Sequence, residues 1–365
     1  MMDQVPAAMD KHFDVVQCHA DGGILLGASN LTGRYWYGSL WYYATPEVAP
    51  DVEKCTAGVQ LEAGLSDVKW VDTNKALVGL DTGGLAMWEL TDNYHTFIQL
   101  HAATEHDDTV TSVCMCAGLA AGHRAVSSSA DRGVKIWDLE TFHSLYTYKA
   151  HAGPVWCVQC HPTEPDIFLS CSQDGNIFLW DSRNPKPAKF VEKSPLVSIP
   201  TCLAWHPSSQ YAFAVGSEAG QVVVKDARVA EINPVSFLPH SRPVTRLEFA
   251  KTRSDLLASV SDDCSAVVTS LAGEKACQIY KNTAHIDFVR GLSWFSADKF
   301  YTCSWDSKVF CHDVSSTVNE SSLTPETLKM EINGHKGDED LKDNFMDQIV
   351  SPKKLQENNI SENVE

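Results

Sequence analysis

The chain has 365 residues, 44% of them apolar, and a formal net charge of −18. No run of about 18 apolar residues occurs, which excludes a membrane-spanning helix, and so acidic a surface argues against direct binding of nucleic acid. The opening MMDQVPAAMDKHFD has neither a basic n-region nor an apolar h-region, so the expectation is an intracellular protein whose twelve cysteines are reduced and mostly buried.

Residues 1–11 are expected to be disordered. Beyond them Gly23–Ala28 reads as a strand and Ser39–Tyr43 as the next. The connection between them, Ser29–Gly38, is roughly five residues longer than a usual hairpin turn. It overlaps GRYWYGSLWYY, where Tyr35, Trp36, Tyr37, Trp41, Tyr42 and Tyr43 crowd together. Trp41, Tyr42 and Tyr43 fall on the strand and are expected in the core, whereas Arg34, Tyr35, Trp36 and Tyr37 fall in the extra loop.

From His106 onward the chain repeats. His106, His151, His240 and His285 open the units HDDTV, HAGPV, HSRPV and HIDFV at spacings of 45, 89 and 45 residues. Each is followed by a strand, a turn containing Asp, and a second strand. Asp131 and Asp174 stand six residues before Trp137 and Trp180, each of which is followed by Asp. Asp263 and Asp306 stand six before Thr269 and His312, where the Trp-Asp dipeptide has degraded, and Trp88-Glu89 is a weaker copy. Strands such as Val155–Cys160, Thr201–Trp205, Val244–Phe249 and Val289–Trp294 alternate as half-buried strands do.

Within this run, Cys157-Val-Gln-Cys160-His161 has the form of a c-type haem attachment site. On a strand, however, residues three apart point to opposite faces, so the two thiols diverge. The parallel Trp205-His206-Pro207 marks His-Pro as an ordinary strand ending. Cys114-Met115-Cys116 lacks a second pair at zinc spacing. No phosphate-cradling loop, metalloprotease motif or nucleophile elbow occurs, so no cofactor, metal or catalytic residue is expected.

After Asn333 the sequence is polar and charged, and 334–365 reads as a disordered acidic tail. Residues 331–365 hold nine acidic residues against four Lys, leaving about −13 for the body.

A repeat of about 45 residues with His, turn Asp and Trp-Asp is similar to the blades of WD-repeat β-propellers. Seven units fit between 12 and 333, so the expected fold is all-β: a seven-bladed WD-repeat β-propeller followed by the tail. The closing strand is either Thr327–Ile332 or the N-terminal residues. His106, His151, His240 and His285 are then structural, bonded to Asp131, Asp174, Asp263 and Asp306 with Trp137 and Trp180 extending the network. The residue three after each His is Thr109, Pro154 or Pro243, but Phe288 in the last unit. Because the last blade adjoins the first in a closed ring, Phe288 is expected beside Arg34–Tyr37, with Arg290 and Lys149 at the same rim. Exposed aromatic residues and Arg are the types that dominate binding hot spots.

The run Gly22–Arg34 (GGILLGASNLTGR), with Ala57–Gly64, Phe168–Ser172 and Ala284–Arg290, resembles the methylosome WD-repeat family. That resemblance covers most of the propeller. It implies an adaptor without catalysis, the partner of the type II, symmetric-dimethylating protein arginine methyltransferase. The enzyme would dock on the rim bearing Arg34, Trp36 and Phe288. The resemblance further implies a hetero-octamer of four and four, presentation of arginine-rich substrates such as Sm proteins and histones, and work in cytoplasm and nucleus in spliceosomal particle assembly and transcriptional control. The chain departs from that family in a short N-terminus and a longer acidic tail. A scaffold of another complex, such as a ubiquitin-ligase receptor, is the alternative.

Overall fold

The computed structural model describes residues 6–315 except 7, 33–34, 92, 119–123, 185, 187–188, 192–197, 228–233 and 274. Thr327–Ile332, the tail and most of 1–11 therefore lie outside the described residues. Seven antiparallel sheets follow one another along the chain, six of four strands and the last of three. They span 12–61, 65–104, 110–148, 155–191, 200–237, 244–282 and 289–313, and are called here blades one to seven. The first strand of each blade packs against the first strands of its neighbours, and His12–Cys18 packs against Val289–Trp294, so the ring is closed around a central channel.

One sheet cannot bury both of its faces, and the apolar clusters show how the ring solves this. Leu25, Leu40 and Tyr42 of blade one pack with Val68, Val78 and Trp88 of blade two. Val126 and Ile136 of blade three pack with Val158, Phe168 and Trp180 of blade four. Phe13, Val16 and Trp41 of blade one pack with Tyr301 and Cys303 of blade seven. Trp41, Tyr42 and Tyr43 are at most 2% exposed, so the second half of the aromatic run is core.

The histidines act as their spacing implies. His106 Nδ1 lies 2.9 Å from Asp131 and its Nε2 lies 2.8 Å from Ser127 Oγ, to which Trp137 Nε1 donates at 2.8 Å. His151, Asp174, Ser170 and Trp180 repeat this at 3.1, 2.7 and 2.8 Å. The network assigns one tautomer: Nδ1–H donates to the carboxylate, Nε2 accepts from the serine hydroxyl, and the serine oxygen accepts from the indole. Each Asp also accepts main-chain N–H groups from both sides, Asp131 from Asp107 and Gly133 and Asp174 from Ala152 and Asn176. This ties the blade-entry loop to the turn. The residue after the Asp is left-handed, at φ 71° for Arg132 and 80° for Gly175, the second a position that suits glycine.

Where Trp-Asp has degraded the network is rebuilt. His240 keeps Asp263 at 3.2 Å and Ser259 at 2.8 Å, but Thr269 supplies no indole. In blade seven His285 bonds Asp306 at 3.0 Å and Thr302 at 2.9 Å. His312 then replaces tryptophan, donating Nε2–H to Thr302 Oγ1 at 2.7 Å and accepting from Tyr280 OH of blade six at 3.0 Å.

Ser170→Ala strips partners from two buried groups, His151 Nε2 and Trp180 Nε1. The expected loss is about 2–3 kcal/mol, read as a lower midpoint in urea unfolding. A second expectation concerns pH. Burial lowers His106, His151 and His285, and lowers His312 from 6.5 to about 4, with His285 adding to the effect. These rings are neutral when folded and take up protons once unfolded, so their contribution is lost as pH falls below 6.5. His312 alone accounts for about 2 kcal/mol by pH 5. The thermal midpoint therefore falls between pH 7 and 5, and falls less in His312→Asn.

Candidate functional site

The connection expected over Ser29–Gly38 is not a loop. Ile24–Thr32 and Tyr35–Tyr43 are each nine residues long and remain paired to the tip, with Asn30 opposite Tyr37, Leu31 opposite Trp36 and Thr32 opposite Tyr35. Aromatic residues on both arms favour a pleated pair over an irregular loop, and the added length is a projecting hairpin. Alternation then divides the aromatics. Tyr35 and Tyr37 are 69% and 40% exposed, while Trp36, on the other face, is half-buried and turned into the ring. It sits so close to Gly64 that a Cβ there would lie 2.8 Å from the Trp36 Cβ, so only glycine fits at that place.

Trp36 belongs to a row of rings at the mouth of the channel. His12 lies 5.7 Å from Trp36 and 4.7 Å from Trp305, and Trp305 lies 5.5 Å from Phe288. Arg242 and Arg290 stand over Phe288 at 5.1 and 5.7 Å, and Arg290 also over Trp305 at 5.0 Å, within cation–π range. The row links Trp36 to Phe288 only through His12 and Trp305, two rings that sequence reasoning missed. A signal for Trp305 existed. It directly precedes the turn Asp306, where the other units place Ala130, Gln173 and Asp262.

These rings straddle the seam where blade seven meets blade one. Trp305 Nε1 donates to Asp14 at 2.8 Å, and Ser29 Oγ donates to the other oxygen of the same carboxylate. Burial raises the Asp14 carboxyl, and these two bonds oppose it. Further along the seam, Ser307 Oγ donates to Lys11 O at 2.7 Å and Cys18 N to Ser293 Oγ at 3.0 Å.

Behind the rings lies a cavity of about 560 Å³ lined by Trp36, Trp156, Trp305, Asp14, Asp81 and Asp262, among others. Among the described residues, Asp81 Oδ1, Asp262 Oδ1 and Arg290 Nε have no hydrogen-bond partner. Arg290 Nη2 lies 3.5 Å from Asp262 Oδ1, an ion pair without hydrogen-bond geometry. Burial raises Asp81 and Asp262. A mouth of this kind offers flat aromatic faces beside two guanidinium groups, with the Asp81 and Asp262 oxygens buried beneath its surface.

Two expected members stand apart. Arg34 lies outside the described residues. Lys149 is exposed at the end of blade three, two blades from the first and three from the seventh, so it does not belong to the cluster. Its sequence position near His151 placed it on an entry loop without fixing which one. No group of three or more His, Cys, Asp or Glu among the described residues is arranged to hold a metal ion. His161, from the haem-like motif, is occupied structurally, with Nε2 donating to Gln210 O at 2.7 Å.

Ring, repeat and network together define a WD-repeat propeller, and the family model for the WD domain, G-beta repeat, matches residues 97–138 and 142–181. The chain is 38% identical over 320 residues to "Methylosome protein WDR77" of Xenopus laevis, covering 87% of this chain and 94% of that protein. It belongs to the methylosome WD-repeat family. Similarity to other proteins covers less of each chain. Dynein axonemal intermediate chain 4 of Rattus norvegicus is 36% identical over 125 residues, 15% of its own length. DDB1- and CUL4-associated factor 13 of Xenopus laevis is 26% identical over 182 residues, 40% of its length.

Below the mouth the channel is crossed by an ion pair. Arg246 of blade six donates Nη2–H to Asp67 of blade two at 2.9 Å, and Asp67 also accepts from Val113 N at 2.8 Å. Arg246→Met would leave Asp67 buried without its partner. The expected cost is about 3 kcal/mol, measured by chemical denaturation, and the double variant that adds Asp67→Leu recovers most of it.

Proposed function

We propose that the chain is the non-catalytic adaptor subunit of a methylosome. It binds a type II protein arginine methyltransferase on the mouth between blades one and seven and presents arginine-rich substrates such as Sm proteins and histone tails. Family membership supports the choice of partner, since the relative covered over 94% of its length bears the name of a methylosome protein. One observation carries the docking surface: the row Trp36–His12–Trp305–Phe288, flanked by Arg242 and Arg290. Large aromatic faces beside Arg supply most of the energy of protein interfaces.

The assembly is a hetero-octamer of four adaptors and four enzymes, at work in cytoplasm and nucleus. The net charge of −18 supports the second half of the role, because an acidic body raises the local concentration of basic tails near the enzyme.

Size-exclusion chromatography of the chain with the methyltransferase of its own organism tests the reading, and co-elution is expected. Trp36→Ala and Phe288→Ala should each weaken binding by about 2 kcal/mol, roughly 30-fold, with Lys149→Ala unchanged. Wild-type affinity in both aromatic variants would place the docking site elsewhere. Recovery of a ubiquitin-ligase adaptor, and no methyltransferase, in a pull-down would overturn the assignment itself.

A further inference from the structure

The opposite end of the channel holds a second cavity, of about 870 Å³. It shares Cys157, Cys202 and Arg246 with the first, so the two chambers meet at the Arg246–Asp67 pair. Its wall brings together two motifs that have no role in docking. Cys114 lies on the inner strand Val110–Met115 of blade three, with Cys116 just beyond its end, and Cys160 closes the inner strand Val155–Cys160 of blade four. The main-chain N–H of Cys160 donates to Cys114 Sγ at 3.1 Å, and Cys116 Sγ lies 3.8 Å from Cys160 Sγ. Cys114 and Cys160 both line the cavity, and Lys69 lines it too. Three thiols thus meet across a blade junction, one of them receiving an N–H donor, at a place that small solutes can enter.

We propose that Cys114, Cys116 and Cys160 form a peroxide-reactive thiol site at this far mouth, where oxidation of Cys114 ends in a disulfide to Cys160. The chemistry follows from who holds the proton. The neighbouring Cys160 side chain first, then the Cys160 N–H and the charge of Lys69, hold the Cys114 thiol below its ordinary range against the effect of burial. The pairing with Cys114, and then with Cys116, raises Cys160, which keeps its proton. The Cys114 thiolate attacks one oxygen of hydrogen peroxide, the O–O bond breaks, and hydroxide leaves and is protonated to water. Sulfur is oxidised to a sulfenic acid and peroxide is reduced. Cys160 then gives up its proton and attacks the Cys114 sulfur. The S–O bond breaks, a second water leaves, and the disulfide closes. In sum, two thiols and one peroxide give one disulfide and two waters. Cys116, its Sγ 3.8 Å from Cys160 Sγ, is placed to take over the bond by thiol–disulfide exchange.

Another thiol meets part of the same description. Cys157 is lowered to about 7, first by its hydrogen bond with Cys171 and then by Arg246. Cys157 also lines both cavities, but its neighbour Cys171 is fully buried and lines neither, so that pair is the competitor the test separates from this one.

The test treats the intact chain with dilute hydrogen peroxide, alkylates the remaining thiols and maps peptides without reduction. A cross-link from Cys160 to the 114–116 segment is expected, forming about tenfold faster than oxidation of the exposed Cys277 and Cys311. In Cys160→Ser, dimedone should label Cys114 as a persistent sulfenic acid, and Cys116→Ser should still cross-link. The proposal fails if Cys114→Ser cross-links at the wild-type rate. It fails equally if Cys277 and Cys311 react first while Cys160 stays free, or if Cys157–Cys171 is the bond that forms. Circular dichroism of each variant separates lost reactivity from lost fold, and Cys116→Ser retains the reacting pair should another variant unfold.

Discussion

The seam between blade seven and blade one carries the architecture. At every other junction in the ring one blade is followed directly along the chain by the next, so covalent continuity keeps neighbours together. At the seam that tether is missing, and the join rests on packing and a few directed bonds. Phe13 and Val16 pack against Tyr301 and Cys303, Cys18 bonds Ser293, and Asp14 receives the Trp305 indole. Each flanking sheet needs that cover on its exposed face, because a single sheet leaves an apolar face in water. The remaining inter-blade cores depend on the ring staying closed.

The same seam builds the candidate docking surface. Trp305 serves both ends, with its nitrogen fastened to Asp14 and its ring filling the gap between His12 and Phe288. Trp36 arrives from a hairpin whose extra length would be an unpaired edge on an ordinary blade, and which here is turned inward by its packing on Gly64. The aromatic row is therefore held by the contacts that close the fold.

Much of this was legible in the sequence. The spacing of His106, His151, His240 and His285 and the turn Asp six residues before Trp137 and Trp180 report a local hydrogen-bond network, and local networks leave periodic traces. Seven blades follow from that period. The odd residue Phe288 and the aromatic run both pointed to the mouth where the row of rings lies. What the sequence did not disclose is three-dimensional. Pairing continued to Thr32 and Tyr35 because β-propensity persisted through the stretch read as a loop. Lys149 shares an entry-loop position with residues near the seam but not a blade with them. Trp305 and His12 join across more than 290 positions of chain, a contact that no repeat encodes. The meeting of Cys116 and Cys160 depends on how adjacent inner strands stagger, which spacing alone does not report.

A surface that spans the seam has a consequence for the free and bound forms. Trp36 belongs to the first blade and Phe288 to the last, so a protein that gripped both would be a buckle across the joint of a belt that, among the described residues, no continuous stretch of chain bridges. Opening the belt would first require letting go of the guest. Under the proposed docking, occupancy and ring integrity become one equilibrium, in which association stabilises the closed circle by mass action.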